Sequence, residues 1–354
     1  MSASVALRSH SSSLLHVIKP FDNQDDTQAM PELFVPILIF VISLTVLVKS
    51  ADFFTECAER LGLLIGLPPF IIGVTIVSLG TSIPELVASI LGVFQGASEV
   101  VISNVIGSNI ANICLVLGVA SVMSVKSLQI AYDLVSVDLP LFVGSAFLLS
   151  LMVKDESFSK GEALLLVVGY LVYLFYTLKG SEQPTASETP ENGEELPGVR
   201  TDNASSQVLR QLILIVASSI AIFLGARYTI ASLIQISAIL NIGKEIIAVS
   251  VVALGTSLPE LLVTANAALK GKAEIAVGNV LGSNIFNIFI VMGISGLVGR
   301  LTIPRSVIET GIPTLLAATL LMFFTTQDRR LSVWEGWLFF ILYFWFIAHT
   351  FNWI

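Results

Sequence analysis

The chain reads as a succession of apolar runs, most of them about 20 residues or longer, separated by short polar breaks. Ten runs stand out, near 32–50, 67–94, 99–122, 131–152, 160–178, 208–235, 245–269, 274–298, 305–326 and 333–353. A helix rises about 1.5 Å per residue, so runs of this length cross the roughly 30 Å hydrocarbon core of a bilayer. The pattern predicts an all-α polytopic membrane protein. Two stretches fall outside it. Residues 1–31 are polar; the first twenty are serine-rich, carry Arg8 and Lys19 and have no acid. That faintly resembles a transit peptide, but there is no clear amphipathic pattern and no cleavable apolar core, so a disordered tail is expected. Residues 179–207, "KGSEQPTASETPENGEELPGVRTDNASSQ", are too rich in Pro, Glu, Ser and Gly to bury a core, and read as an acidic disordered linker. The expected organisation is a tail (1–31), five spans (32–178), the linker (179–207) and five more spans (208–354).

The second half repeats the first. Residues 71–118 and 246–293 align without a gap at a constant offset of 175, and nearly half of the aligned positions are identical. "IIGVTIVSLGTSIPELV" answers to "IIAVSVVALGTSLPELL", and "SNVIGSNIANICLVLG" to "GNVLGSNIFNIFIVMG". Hydrophobicity alone would not repeat Glu, Asn, Ser and Pro in register. Each half holds five spans, an odd number, so the second half enters the membrane from the opposite side. That is an inverted repeat, an architecture whose substrate site lies at the midplane between the halves.

Composition sharpens this reading. Only 12% of the 354 residues are charged and 55% are hydrophobic, about half the charged share of a soluble domain. The formal charge of -8 comes chiefly from the polar segments and says little about a binding surface. Cys57 and Cys114 are far apart and make neither a metal motif nor a disulfide framework; His10, His16 and His349 are scattered. No His, Cys or Ser–Lys constellation accompanies the buried acids, so an intramembrane enzyme is a poor fit. Nothing in the pattern points to nucleic acid or to a protein partner. With both termini outside, the inner segments carry ten basic residues (Lys49, Arg60, Lys126, Lys179, Arg200, Arg210, Lys270, Lys272, Arg329, Arg330). The outer ones carry seven (Arg8, Lys19, Lys154, Lys160, Lys244, Arg300, Arg305). The positive-inside rule therefore favours outer termini and a cytoplasmic linker, in a cell membrane.

The chemistry sits in the repeated motifs. Pro84 and Pro259 lack an N–H, which deprives the carbonyls of Gly80 and Gly255 of helix partners. The glycines lower the cost of local unwinding, so a broken helix is expected at each site. Thr81 and Glu85 are four residues apart and share a helix face, as do Thr256 and Glu260, Ser108 and Asn112, and Ser283 and Asn287. The carbonyls of Ser78 and Ala253 are further candidates. Two carboxylates, two amides and four hydroxyls form an all-oxygen set suited to a hard cation. Ca²⁺ takes about 6–8 oxygens, and the soft ligands favoured by zinc or copper are missing. Na⁺, Mn²⁺ and other hard ions fit the same donors. A single "GTSxPE" could be no more than a kink, and Gly107, Ser108, Gly282 and Ser283 could serve only close helix packing. Two copies in register, each with an acid inside a span, favour a functional site. Asn104, Asn109, Asn279 and Asn284 flank the candidates; they could line a pathway or tie loops together by hydrogen bonds, and the structural role is expected. Asp52, Glu56 and Glu59 follow the first span at helical spacing and read as an interfacial face rather than as ligands.

At "GTSIPE" with "GSNIANI", and "GTSLPE" with "GSNIFNI", the sequence resembles the sodium/calcium exchanger family of the cation/calcium antiporter superfamily. The resemblance covers both membrane halves and excludes the tail and linker. It implies a secondary active antiporter with Ca²⁺ and Na⁺ as transported ions and no cofactor. Glu85 and Glu260 match the family's two central acids, Thr81 and Thr256 its hydroxyl and carbonyl ligands, Ser108 and Ser283 its serines, and Asn112 its amide ligand. Asn287 stands where some members, including potassium-dependent ones, have Asp; this removes a third acid and favours plain Na⁺/Ca²⁺ exchange. The linker is too short for the large Ca²⁺-sensing insert of eukaryotic members. A Ca²⁺/H⁺ antiporter using the same glutamates is the alternative, and a cation channel lined by two acids a more distant one.

Overall fold

The computed structural model describes residues 26–124, 127–180, 204–240, 257–351 and 353–354. Its helices are α1 (Asp26–Leu64), α2 (Pro69–Phe94), α3 (Glu99–Met123), α4 (Asp138–Met152), α5 (Lys160–Gly180), α6 (Ala204–Ile239), α7 (Leu258–Leu269), α8 (Ala273–Val298), α9 (Val307–Thr325) and α10 (Val333–Thr350). Eight are long and apolar enough to span a bilayer; α4 and the described part of α7 are shorter apolar helices. Each falls on one of the ten apolar runs. Most of the expected linker, residues 181–203, lies outside the described residues, as does most of the expected tail.

The last helix of each half starts for the same local reason. The Ser159 hydroxyl accepts from the Glu162 N–H (3.2 Å) while Glu162 accepts from the Ser159 N–H (2.7 Å). Ser332 and Glu335 make the same reciprocal cap. Such a box satisfies two orphan N–H groups and fixes where the helix begins.

Four two-residue strands report the topology. β1 (Leu128–Gln129) pairs antiparallel with β4 (Arg330–Leu331), and β2 (Ser157–Phe158) with β3 (Leu301–Thr302). β1 lies between the third and fourth helices of the first half, and β4 between the fourth and fifth of the second. One span separates those two loops within a half, so they lie on opposite membrane faces. The ladders join the third–fourth loop of one half to the fourth–fifth loop of the other. The halves are therefore inverted. Other cross-loop contacts obey the same parity: the Tyr132 N–H donates to Glu274 at 2.8 Å, Arg329 pairs with Asp133, Arg305 pairs with Glu156, and the Thr302 N–H donates to Ser98.

The sequence expectation needs three corrections here. The first helix runs from Asp26 to Leu64 rather than stopping near residue 50. Asp52, Glu56 and Glu59 ended the apolar run but did not end the helix, because cations on another element meet them. The fourth span begins at Asp138 rather than 131; residues 131–137 form a turn in which Tyr132 stacks on Phe70 at 4.4 Å. And α2 is unbroken at Pro84. Its irregularity lies upstream, where Gly73–Val77 form a π-helical turn closed by the Ser78 N–H donating to the Gly73 carbonyl. Gly80 is needed for room: a Cβ there would come within 2.4 Å of the Phe54 ring of α1.

The core lies where α2 and α3 of one half cross α7 and α8 of the other. Glycines set the tightest crossing. A Cβ on Gly282 would lie 2.4 Å from the Val74 carbonyl, and one on Gly278 2.6 Å from the Phe70 carbonyl. Small residues let membrane helices approach backbone to backbone, and here they seat α8 against the π turn. Gly282→Ala should lower stability in detergent by about 1–3 kcal/mol through overpacking. Gly144→Ala, where nothing lies within 4 Å, should be neutral; thermal unfolding of the two variants makes the comparison.

Candidate functional site

α3 and α8 change register at matching positions. Asn112 opens a π-helical turn over Asn112–Val116, and Asn287 opens one over Asn287–Val291. The two turns are 175 residues apart, the spacing of the repeat. A π turn inserts one residue, rotates the following helix face and marks functional positions in many helices. Both asparagines lie near the middle of their helices and are buried, with 1% of their surface exposed.

α2 brings Ser78, Thr81, Ser82 and Glu85 to this level, α3 brings Ser108 and Asn112, α7 brings Glu260, and α8 brings Asn279, Ser283 and Asn287. All ten are buried. The Ser82 hydroxyl donates to Glu260 at 3.2 Å. Thr81 Oγ1 reaches Asn279 Oδ1 at 3.4 Å and Ser283 Oγ at 3.5 Å. Asn287 Nδ2 donates to Ser108 Oγ (3.2 Å) and to Asn109 Oδ1 (3.1 Å). Eight of the ten residues predicted from the sequence are described, and seven line this junction between the halves. Ser78 lies at its edge: its side chain donates to the Val74 carbonyl (2.6 Å), and its own carbonyl accepts from Thr81. Thr256 and Ala253 lie outside the described residues, as does Gly255.

What these groups lack is as telling as what they have. Both Glu85 oxygens, Glu260 Oε2, both polar atoms of the Asn112 amide and Asn287 Oδ1 are buried without a hydrogen-bond partner among the described residues. No described lysine or arginine pairs with Glu85 or Glu260. A buried, unpaired carboxylate costs several kcal/mol in ordinary protein and is a functional signal inside a membrane. The described residues hold no group of three or more His, Cys, Asp or Glu that could bind a metal. The donors are two acids and neutral oxygens, a set suited to a hard, weakly held cation.

The four flanking asparagines tie helices and turns. Asn279 Nδ2 donates to Thr264 at 2.8 Å, and Asn104 Nδ2 to Ser89 at 3.5 Å, two bonds related by the repeat. Asn109 Nδ2 donates to the Asn284 carbonyl (3.3 Å), and Asn284 Nδ2 to the Val280 carbonyl (2.7 Å). Ser82 is the residue that sequence reasoning passed over. Same-face spacing selects partners within one helix, whereas Ser82 serves the glutamate of the opposite half. Its recurrence as Ser257 in the second motif was the available signal.

Comparison with known proteins shows the family. The family described as "Sodium/calcium exchanger protein" matches residues 35–179 and 210–352. The chain belongs to the sodium/calcium exchanger family. It is 33% identical over 332 residues to sodium/calcium exchanger MaX1 of Methanosarcina acetivorans, covering 84% of this chain and 93% of that protein. It is 30% identical to the putative antiporter CaxA of Alkalimonas amylolytica, covering 86% and 95%. Among solved structures, the sodium-calcium exchanger NCX_Mj soaked with zero Na⁺ and Ca²⁺ superposes with a TM-score of 0.75 at 26% identity, covering 90% of this chain and 99% of that one. The exchanger is thus an integral membrane protein of a transporter family.

Asn279→Ala should destabilise this exchanger by about 1–3 kcal/mol, since it orphans the Thr264 hydroxyl and removes an acceptor from Thr81. Asn104→Ala breaks a longer bond and should cost less. Thermal unfolding in detergent without added Na⁺ or Ca²⁺ distinguishes the two.

Proposed function

We propose that this chain is a secondary active antiporter that exchanges Na⁺ for Ca²⁺ at a site centred on Glu85 and Glu260. The observation that carries this reading is the pair of buried carboxylates, three of whose four oxygens have no hydrogen-bond partner among the described residues. One Ca²⁺ neutralises two carboxylates. The oxygens of Thr81, Ser108, Ser283, Asn112 and Asn287 complete the shell, with Thr256 and the carbonyls of Ser78 and Ala253 supplied by the repeat. Na⁺ uses the same oxygens, so the two ions compete.

Coupling follows from charge. Passing between outward- and inward-open arrangements requires an intermediate closed to both sides. Without an ion, that intermediate seals two uncompensated carboxylates in a low-dielectric interior, which is prohibitive. With one Ca²⁺ or more than one Na⁺ bound, the charge is offset and the helices around the site can pass between the two arrangements. Neither ion moves without the other returning. Asn287 supplies a neutral amide where a third acid would otherwise stand, so K⁺ is not needed. In this reading the linker is cytoplasmic and the termini face outward.

The test is Ca²⁺ uptake into vesicles loaded with Na⁺ and diluted into Na⁺-free buffer, beside vesicles holding only a proton gradient. Na⁺-driven uptake is expected; uptake driven by protons alone would reassign the chain to Ca²⁺/H⁺ antiport. Glu85→Gln and Glu260→Gln should each cut exchange by about two orders of magnitude, because each removes half of the compensating charge. The same variants separate binding from folding. At about a hundred times its dissociation constant, Ca²⁺ should stabilise the unaltered protein by about 2.7 kcal/mol. It should leave the melting temperature of either variant unmoved. Equal Ca²⁺ stabilisation of all three proteins would place the site elsewhere.

A further inference from the structure

Near its end, α1 carries Asp52, Glu56 and Glu59 at i, i+4 and i+7, on one face. That face meets the turn between α7 and α8. Lys270 Nζ pairs with Asp52 and, at 3.0 Å, with Glu56; Lys272 Nζ pairs with Glu59 at 2.5 Å. Asn266 Nδ2 donates to Asp52 at 3.1 Å, and Arg60 lies 3.8 Å from Glu56. The five principal side chains are about a quarter to two-fifths exposed, so the pairs are partly shielded from water. They join the first half to the second on the β1·β4 face, beside a cavity of about 590 Å³ that Glu59 and Lys272 help to line.

The repeat supplies an internal control. The turn Lys270–Gly271–Lys272 corresponds to Gln95–Gly96–Ala97 on the opposite face, and Gly96 and Gly271 share a φ of +73°. Leu64 and Ile239, the last residues of α1 and α6, also correspond, so Asp52, Glu56 and Glu59 answer to Arg227, Ala231 and Ile234. The turn geometry is kept, and these positions form no ion pair among the described residues. Arg227 is exposed and forms no ion pair among the described residues.

α1 and α6 also hold to each other. A Cβ on Gly225 would lie 2.9 Å from the Leu47 Cβ, and Thr229 Oγ1 donates to Ser43 Oγ at 2.9 Å. Their outward faces are largely apolar and exposed. The α1–α6 pair is therefore a unit with a charged tie to the central helices at one end, among the described residues, and no counterpart at the other. In an inverted repeat, identical halves would give two facing states of equal energy. A bond present, among the described residues, on one face and not at the matching positions of the other removes that equality.

We propose that Asp52, Glu56 and Glu59 with Lys270 and Lys272 form an ionic clamp that holds the β1·β4 face shut and biases the exchanger toward the arrangement opened on the opposite face. The proposal rests on the alternating-access reading above. The clamp is also sensitive to ionic strength, since partly exposed pairs are screened by salt.

The experiment is hydrogen–deuterium exchange on the full-length protein in detergent, free of Na⁺ and Ca²⁺. The double variant Lys270→Gln/Lys272→Gln should exchange about fivefold faster at residues 57–67 and 266–273, and unchanged at 92–98. About 0.5 M choline chloride should move the unaltered protein the same way. The charge-swapped variant Glu59→Lys/Lys272→Glu should recover part of the protection. In vesicles of sorted orientation, the double variant should need less Ca²⁺ for half-maximal uptake at the β1·β4 face and more at the other, because apparent affinity scales with the open population. Unchanged exchange, equal loosening of both faces, or faster exchange with no opposed shift in affinity would each overturn the clamp. Absence of uptake by the unaltered protein would instead overturn the antiport reading, and the exchange pattern would still report on the clamp.

Discussion

Two carboxylates that cannot be left charged and alone set the terms for the rest of the fold. In a membrane interior no water shell offsets them, and no described lysine or arginine does so either. The elements around Glu85 and Glu260 surround them with neutral oxygens, several of them buried without a partner among the described residues. The glycine crossing of α8 on the π turn of α2 supplies rigidity. The π turns open at Asn112 and Asn287, at matching positions of the two halves. The asparagine ties keep those helices from sliding.

Much of this was legible in the sequence. The ten spans follow from hydropathy, and the inversion from an odd number of spans in each half. The two acids and their hydroxyl neighbours followed from a repeat that preserved polar residues where hydrophobicity alone would not. Other features were hidden for physical reasons. The charged end of α1 looked like an exit from the membrane because its cationic partners are more than 200 residues away in sequence. Pro84 looked like a break, yet the helix absorbs it and places its irregularity at Gly73–Val77. A π turn leaves little trace in a helix that is apolar on nearly every face. Ser82 was overlooked because its bond crosses between the halves, and periodicity describes only one helix at a time.

The inverted repeat explains why the site is built twice and also why it is not perfectly symmetric. The Asn287 side chain donates to Ser108 and Asn109, while the side chain of Asn112, its counterpart, makes no hydrogen bond among the described residues. Bonds related by the repeat also differ in length, as Asn279–Thr264 and Asn104–Ser89 show. Under the proposed antiport, halves similar enough to exchange roles, yet different enough to prefer one, suit a protein that visits two arrangements.

The two short ladders have a consequence for biogenesis. Each is made from one strand of either half, so neither half can complete a ladder by itself. Leu128 must wait for Leu331, about 200 residues later in the chain. At ribosomal rates of about 5–20 residues per second, that is a delay of roughly 10–40 s. From residue 180, where the fifth helix ends, until residue 331 the first five helices wait without the strand that completes the ladder. A chain stopped before residue 330 therefore has no strand of the second half in place to pair with β1 and close the first ladder.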